Sequence, residues 1–374
     1  LLMRVANQAV VAPAAMPAML AQVIKSAAEQ KGGPVPEAVR DVTVSDVAQR
    51  IAASLLGGKN TAVFLGNLAQ HHPAASQLHG LGLALAEVVG ARFGFLGEAA
   101  NSVGGYLASA IPAPGGKNAA HMLKVPLKAY LLLGVEAELD THDPQQAVAA
   151  MKAAELVVAM SPYQHNAVEY AHVLLPIAPF TETAGTFIST EGRVQGFSGV
   201  VRPLGETRPA WKVLRVLGNL LGLAGFDHDS AEDVKREALG EADITGKLGN
   251  QLKNAALVSI APGQGGGLQR IAEVPIYAAD AIVRRAHALQ LTRDAAPPVA
   301  WMNRALCEKL GLREGDGVRV RQGGGEAVLA ACIDDKLPAD CVRVAAARPE
   351  TATLGAMFGA VIVERIKAQQ KVAV

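Results

Sequence analysis

The sequence predicts an α/β fold, a doubly wound, mostly parallel sheet, followed by a small carboxyl-terminal β-barrel-like domain. Short continuous apolar runs alternate with helical periods, as parallel strands covered on both faces require. Half the residues are hydrophobic, and 38 glycines and 20 prolines punctuate them, which supplies frequent stops and apolar surface for more than one core. Near the carboxyl end the period changes to two, with Val318 and Val320 alternating with Arg319 and Arg321. The expected organisation is an α/β domain over residues 1–225, a linker with a helix over 226–295, and a barrel over 296–368.

Val44, Val47, Ile51 and Leu55 mark the first helix, which Gly57 and Gly58 stop, and TAVFLG (Thr61 to Gly66) follows as a strand. A helix from Ala74 to Val89 leads into a second strand, ARFGFLG. KAYLLLG (Lys128 to Gly134), ELVVAMS (Glu155 to Ser161) and HVLLP (His172 to Pro176) read as further strands, separated by helices from Pro144 to Ala154 and from His165 to Ala171. Pro209, Trp211, Leu214, Leu217 and Leu221 mark one face of a helix that Gly222 ends. From Gly225 to about Pro275 the period is lost, and GQGGG (Gly263 to Gly267) reads as flexible connection. A helix from Asp280 to Leu289 and a linker, AAPP (Ala295 to Pro298), precede a hairpin turned at Gly323 to Gly325, and CVRVAA adds a short strand after a Leu-Pro turn.

Charge excludes some functions. With 35 basic and 34 acidic residues the formal net charge is +1, and no run of one sign is long enough to follow a phosphate backbone, so nucleic acid is not an expected partner. The apolar segment from Val10 to Ile24 is broken by Pro13 and Pro17 and has no charged stretch ahead of it, so it is neither a spanning helix nor a signal peptide. A soluble protein on the cytoplasmic side, without direct membrane insertion, is the expectation. Cys307, Cys332 and Cys341 are widely separated, which implies no disulfide and no iron–sulphur cluster held from within the segment. The opening LLMRVANQ has no initiator methionine at its first position, and a piece of something longer is expected.

Familiar site motifs are absent. Lys59, Lys117 and Lys247 each follow a glycine but lack the rest of a phosphate-binding loop. Gly263 and Gly265 begin a G-x-G-x-x-G that Leu268 breaks, so no nicotinamide fingerprint is present. His71, His72 and His79, and likewise His165 and His172, lack the spacing that sets two imidazoles on one helical face beside a metal. Glu138, Asp140 and Asp143 are close in sequence, but Asp143 before Pro144 is what a helix start needs.

One stretch stands apart. After HVLLPIAPF the chain reads TETAGTFISTEGRVQGF (Thr181 to Phe197), at the carboxyl end of a strand, where doubly wound sheets collect ligands. Gly185 allows close backbone approach; Thr186, Ser189 and Thr190 offer hydroxyls. Glu191 and Arg193 either grip a charged group or satisfy the backbone and each other, and spacing does not choose between these.

This same run, with Glu182, Gly185-Thr186-Phe187 and Glu191-Gly192-Arg193-Val194-Gln195, resembles the molybdopterin oxidoreductases. GETRPAWKVLRVLGNLLG, YLLLGVEAELD and VVAMSPYQHNAVEYAHVLLP fit the same resemblance. Within the family, FLGNLAQHHP, GEAANSVGGY, GGKNAAHMLK and YAADAIVRRAHALQ are similar to the large iron–sulphur subunits of bacterial NADH:quinone oxidoreductases. That resemblance implies a structural half without its own cofactor, iron–sulphur clusters in an amino-terminal part, and neighbouring peripheral-arm subunits as partners on the cytoplasmic face of the inner membrane. Glu182, Gly185, Thr186, Ser189, Glu191, Arg193 and Gln195 are then a vestigial cofactor shelf, with no catalytic or metal-binding residue in the segment. The alanine-rich DCVRVAAARPETATLG agrees, because it offers few groups to match the phosphates of a pterin dinucleotide. The alternative implied by the family is an active molybdopterin-dependent oxidoreductase of the formate dehydrogenase type.

Overall fold

A computed structural model describes residues 4–97, 99–240, 243–249 and 267–366. They fall into two compact units, one drawn from residues 1–96, 249–275 and 297–374, the other from 97–248 and 276–296.

The first unit opens with helix Met16–Lys31, which packs against helices Asp46–Leu56 and Ala75–Val89. Its Ala21, Ile24 and Ala27 are fully buried with Ala48, Ala52 and Leu81. Burying a side chain such as Ile24 contributes about 1.5–3 kcal/mol relative to exposure. Sequence reasoning took the prolines here only as breaks; Pro17 lies in the first helical turn, where no intrahelical N–H bond is lost. Strands β1 (Ala62–Leu65) and β2 (Arg92–Phe95) pair in parallel beside these helices.

The second unit contains the parallel sheet of β3 (Ala129–Leu133), β4 (Leu156–Ser161) and β5 (Val173–Pro176), in that order. Helix Pro144–Ala153 makes the crossover from β3 to β4 and starts as expected, with the Asp143 side chain accepting from Gln146 N–H at 3.1 Å. Its Ala147, Ala150 and Met151 pack on Tyr130, Val157 and Ala159, which covers one face of the sheet. On the other face the register sets Leu131, Val158 and Val173 side by side, and Leu131, Leu133, Leu156 and Val173 remain exposed. The helix expected from His165 to Ala171 is a 3-10 turn, Asn166–Glu169. Its entry is set by His165 Nδ1, which accepts from Ala167 N–H at 3.1 Å.

The stretch expected to be a loop after β5 is an antiparallel hairpin of β6 (Gly185–Ile188) and β7 (Val194–Phe197). Helix Ala210–Leu220 follows, then helix Ala231–Leu239, which Ser230 and Asp233 open with a reciprocal capping box.

The first unit resumes in a closed six-stranded barrel. Its strands are β8 (Leu268–Ile271), β9 (Ala300–Met302), β10 (Gly317–Gln322), β11 (Gly325–Ile333), β12 (Cys341–Arg343) and β13 (Phe358–Arg365), in the spatial order β10-β11-β9-β12-β8-β13. The alternation read from sequence holds: Val318 and Val320 are fully buried with Leu329 and Leu354, while Arg321 faces out and pairs with Glu364 across β13 at 2.6 Å. One strand corrects the expected boundaries, because β8 lies inside the stretch 226–295 taken as linker. Gly263 to Gly266 of the expected flexible connection lie outside the described residues. The helix expected from Asp280 to Leu289 is two short ones, Ala281–Arg285 and His287–Gln290, parted at Ala286.

Candidate functional site

The hairpin carries Gly185, Thr186, Ser189, Glu191, Arg193 and Gln195 of the expected shelf and turns Gly185 and Ser189 to structural use. Gly185 stands opposite Phe197, and a Cβ on it would lie 2.4 Å from the ring, so the close approach is taken up by an aromatic side chain. Ser189 Oγ accepts from Arg193 N–H at 3.2 Å and its carbonyl accepts from Gly192 N–H at 2.8 Å, which closes the turn, with Gly192 in the left-handed region at φ +85°. Glu191 and Arg193 are exposed on this turn, and neither makes an ion pair among the described residues, so they do not satisfy each other. Thr186 faces Gly196 across the ladder, and Gln195, opposite Phe187, is exposed. Ile188, fully buried with Leu239 and Ile244, anchors the hairpin, and its N–H donates to Asn101 Oδ1 at 2.8 Å.

Glu182 belongs to a different arrangement. Its Oε2 accepts from Leu204 N–H at 3.0 Å, and it lines an open cleft of about 610 Å³. The acids Glu182, Asp229 and Glu232 share that cleft with Arg202, Arg208 and Lys212, so it presents no net charge of one sign.

A residue that sequence reasoning did not single out holds the carboxyl end of β3. Glu136 follows Gly134 there, and its side chain is only 2% exposed. Its oxygens lie 3.2 Å from Arg284 Nε and 2.7 Å from Arg285 Nη2, contacts poorly aligned as hydrogen bonds and therefore chiefly Coulombic. Arg284, 8% exposed, sets both terminal nitrogens 2.9 Å from Asp140 Oδ1 and donates to Ala278 O at 2.8 Å. Asp140 Oδ2 in turn accepts from Glu136 N–H at 2.8 Å. The Arg285 guanidinium sits over the Tyr163 ring, 4.8 Å from its centre. Beside this group Tyr170 O–H donates to Glu138 Oε2 at 3.0 Å, and burial, then the Glu138 charge, holds the phenol far above its ordinary range. Asp143 thus caps the helix as expected, while Glu138 and Asp140, close to it in sequence, are engaged elsewhere. The one signal available for Glu136 was its place as the first carboxylate after the apolar run of β3.

The profile of the molybdopterin oxidoreductase family matches residues 34–220, half of the chain. The chain belongs to the molybdopterin oxidoreductase family. A second profile, that of the molydopterin dinucleotide binding domain, matches residues 276–371. This family member is 34% identical over 112 residues to the probable oxidoreductase YjgC of Bacillus subtilis, covering 30% of this chain and 11% of that protein. It is 33% identical over 95 residues to the NADPH-Fe(3+) oxidoreductase subunit alpha of Geobacter sulfurreducens, covering 25% of this chain and 11% of that protein. A putative formate dehydrogenase of Staphylococcus aureus is 35% identical over 74 residues, covering 20% of this chain and 8% of that protein. The matched stretches thus span 8–11% of these relatives' own length.

The family implies a pterin dinucleotide, a group carrying several negative charges. The carboxyl end of β3 does not fit one. Three carboxylates, Glu136, Glu138 and Asp140, already crowd that edge, and the two arginines that would answer a phosphate are taken by two of them. Among the described residues no three histidine, cysteine or carboxylate side chains gather as a metal site. Cys341 and Cys307 are buried in the barrel, where burial raises both thiols, that of Cys341 to about 12, and a neutral thiol is a poor metal ligand. No helix among the described residues is long and apolar enough to cross a membrane.

Proposed function

We propose that this chain is the structural, cofactor-free half of the large subunit of an NADH:quinone oxidoreductase, respiratory complex I. In that role it braces the peripheral arm, which passes electrons from NADH to quinone through iron–sulphur clusters carried outside this segment, on the cytoplasmic face of the inner membrane. The observation that carries the reading is the Glu136 carboxylate held by Arg284 and Arg285, which fills with protein charge a carboxyl-end sheet edge, the place where open α/β sheets generally collect ligands. The shelf hairpin supports it, since Gly185 and Ser189 serve Phe197 and the turn. The uncovered apolar face at Leu131, Leu133 and Val173 offers surface to neighbouring subunits, because parallel sheets are ordinarily covered on both sides. Isolation of the affinity-tagged protein from native membranes tests the reading. NADH:quinone activity and the other peripheral-arm subunits are expected to accompany it; a chain recovered alone, with no such activity, contradicts it.

A second reading, an active molybdopterin-dependent oxidoreductase of the formate dehydrogenase type, is favoured by the name of the Staphylococcus aureus relative and by the dinucleotide-domain match over residues 276–371. It predicts formate-dependent dye reduction by the same preparation.

A further inference from the structure

We propose that Glu136 and Asp140 are built-in anion surrogates: they occupy Arg284 and Arg285 and thereby close the carboxyl end of β3 to a diphosphate. Arg284 and Arg285 lie at the start of the stretch matching the dinucleotide-binding profile, on helix Ala281–Arg285, which belongs to the same compact unit as β3. Both are presented as phosphate-gripping arginines are presented. Arg285 sits over the Tyr163 ring at 4.8 Å with its side chain 32% exposed, and Arg284 directs two N–H groups at a single oxygen. That oxygen is Asp140 Oδ1, and the remaining Nε and the neighbouring guanidinium converge on the two oxygens of Glu136.

The charges cancel within the group, two carboxylates against two guanidinium ions, so a diphosphate arriving at this edge finds both arginines already paired and has Glu138 beside it. Glu136 cannot turn away to admit one. Its side chain is buried against both arginines, and its backbone N–H donates to Asp140, so the backbone that carries Glu136 and the Asp140 carboxylate are held together. Removing their charge while keeping their shape should therefore uncover a latent diphosphate site on the same two arginines.

This inference rests on the cofactor-free reading above, yet it fails separately. That reading fails if molybdenum or pterin accompanies the purified protein; this one is decided by inorganic pyrophosphate. Calorimetric titration of pyrophosphate into the full chain is expected to show no saturable binding up to millimolar concentration. The same titration into Glu136→Gln/Asp140→Asn is expected to tighten by at least tenfold, and adding Arg285→Gln to that variant should remove the gain. Saturable binding by the unsubstituted chain, or no tightening in the variant, overturns the proposal. If the double variant does not fold, Asp140→Asn alone takes its place, since that side chain is 21% exposed and Glu136 keeps its partners; a gain of threefold or more supports the proposal and no gain overturns it.

Discussion

Gly185 lies directly across the β6–β7 hairpin from Phe197, and a methyl group built on it would come within 2.4 Å of the ring. What looks in sequence like room for a ligand is room for a phenyl ring. Gly185→Ala forces the ring or the strand to move and is expected to cost about 1–3 kcal/mol, as overpacking generally does. Urea denaturation of the two proteins measures this, and an unchanged midpoint contradicts the packing role.

Glu136 is buried with its charge answered, among the described residues, by Arg284 and Arg285. Glu136→Ala removes the carboxylate that Arg284 and Arg285 share, leaving Arg284 to Asp140 and taking from Arg285 its carboxylate partner, and is expected to lose about 3–5 kcal/mol, the range for breaking a buried ion pair from one side. Arg285→Ala costs less, because that side chain is a third exposed and water replaces part of what is lost. The order of the two denaturation midpoints is the check; a larger loss at Arg285 reverses the assignment.

His72 gives a pH dependence of known sign. Its Nδ1 accepts from Ala74 N–H at 2.9 Å, so Nε2 carries the proton donated to Pro13 O at 2.9 Å, and the ring lies against Phe358. Burial holds the imidazole below its ordinary value of 6.5, with the Pro13 bond opposing. A depressed folded value means that the unfolded chain binds the proton first, so the stabilisation is complete above 6.5 and drains away as pH falls below it. Melting temperatures of wild type and His72→Gln between pH 7.5 and 5 are expected to converge toward the acid end; parallel curves contradict the assignment.

Arg193 belongs to the expected vestigial shelf. Its side chain is exposed and its backbone holds the turn, so the chain's own fold does not rest on that side chain, and under the proposed function its role is in assembly. Arg193→Ala is expected to leave the isolated chain's stability within about 0.5 kcal/mol, while lowering the amount of assembled enzyme and sparing turnover per assembled complex. Loss of turnover in fully assembled enzyme contradicts a bracing role.

Much of this was legible in the residues. The apolar runs of β3, β4 and β5 announce a parallel sheet because both faces of such strands ordinarily meet protein, and the Val/Arg alternation of β10 announces a half-buried hairpin. The helix at Met16–Lys31 was hidden because a proline in a first turn and a proline that breaks a helix read alike. The β6–β7 hairpin was hidden because its glycines and hydroxyls are those of a loop, and only Phe197 across from Gly185 reveals why they are needed. The Asp140–Arg284 pair, 144 residues apart, has no local signature, since an ion pair between distant segments leaves no period in either.

Under the proposed function, this member of the family keeps the framework of a cofactor chamber and closes its sheet edge with its own charges. Molybdenum and tungsten by mass spectrometry, with pterin by fluorescence after oxidative release, measured on one preparation of the native full-length protein, test it most directly. Less than a twentieth of an equivalent of each is the expected result. A stoichiometric pterin, with or without its metal, contradicts the account.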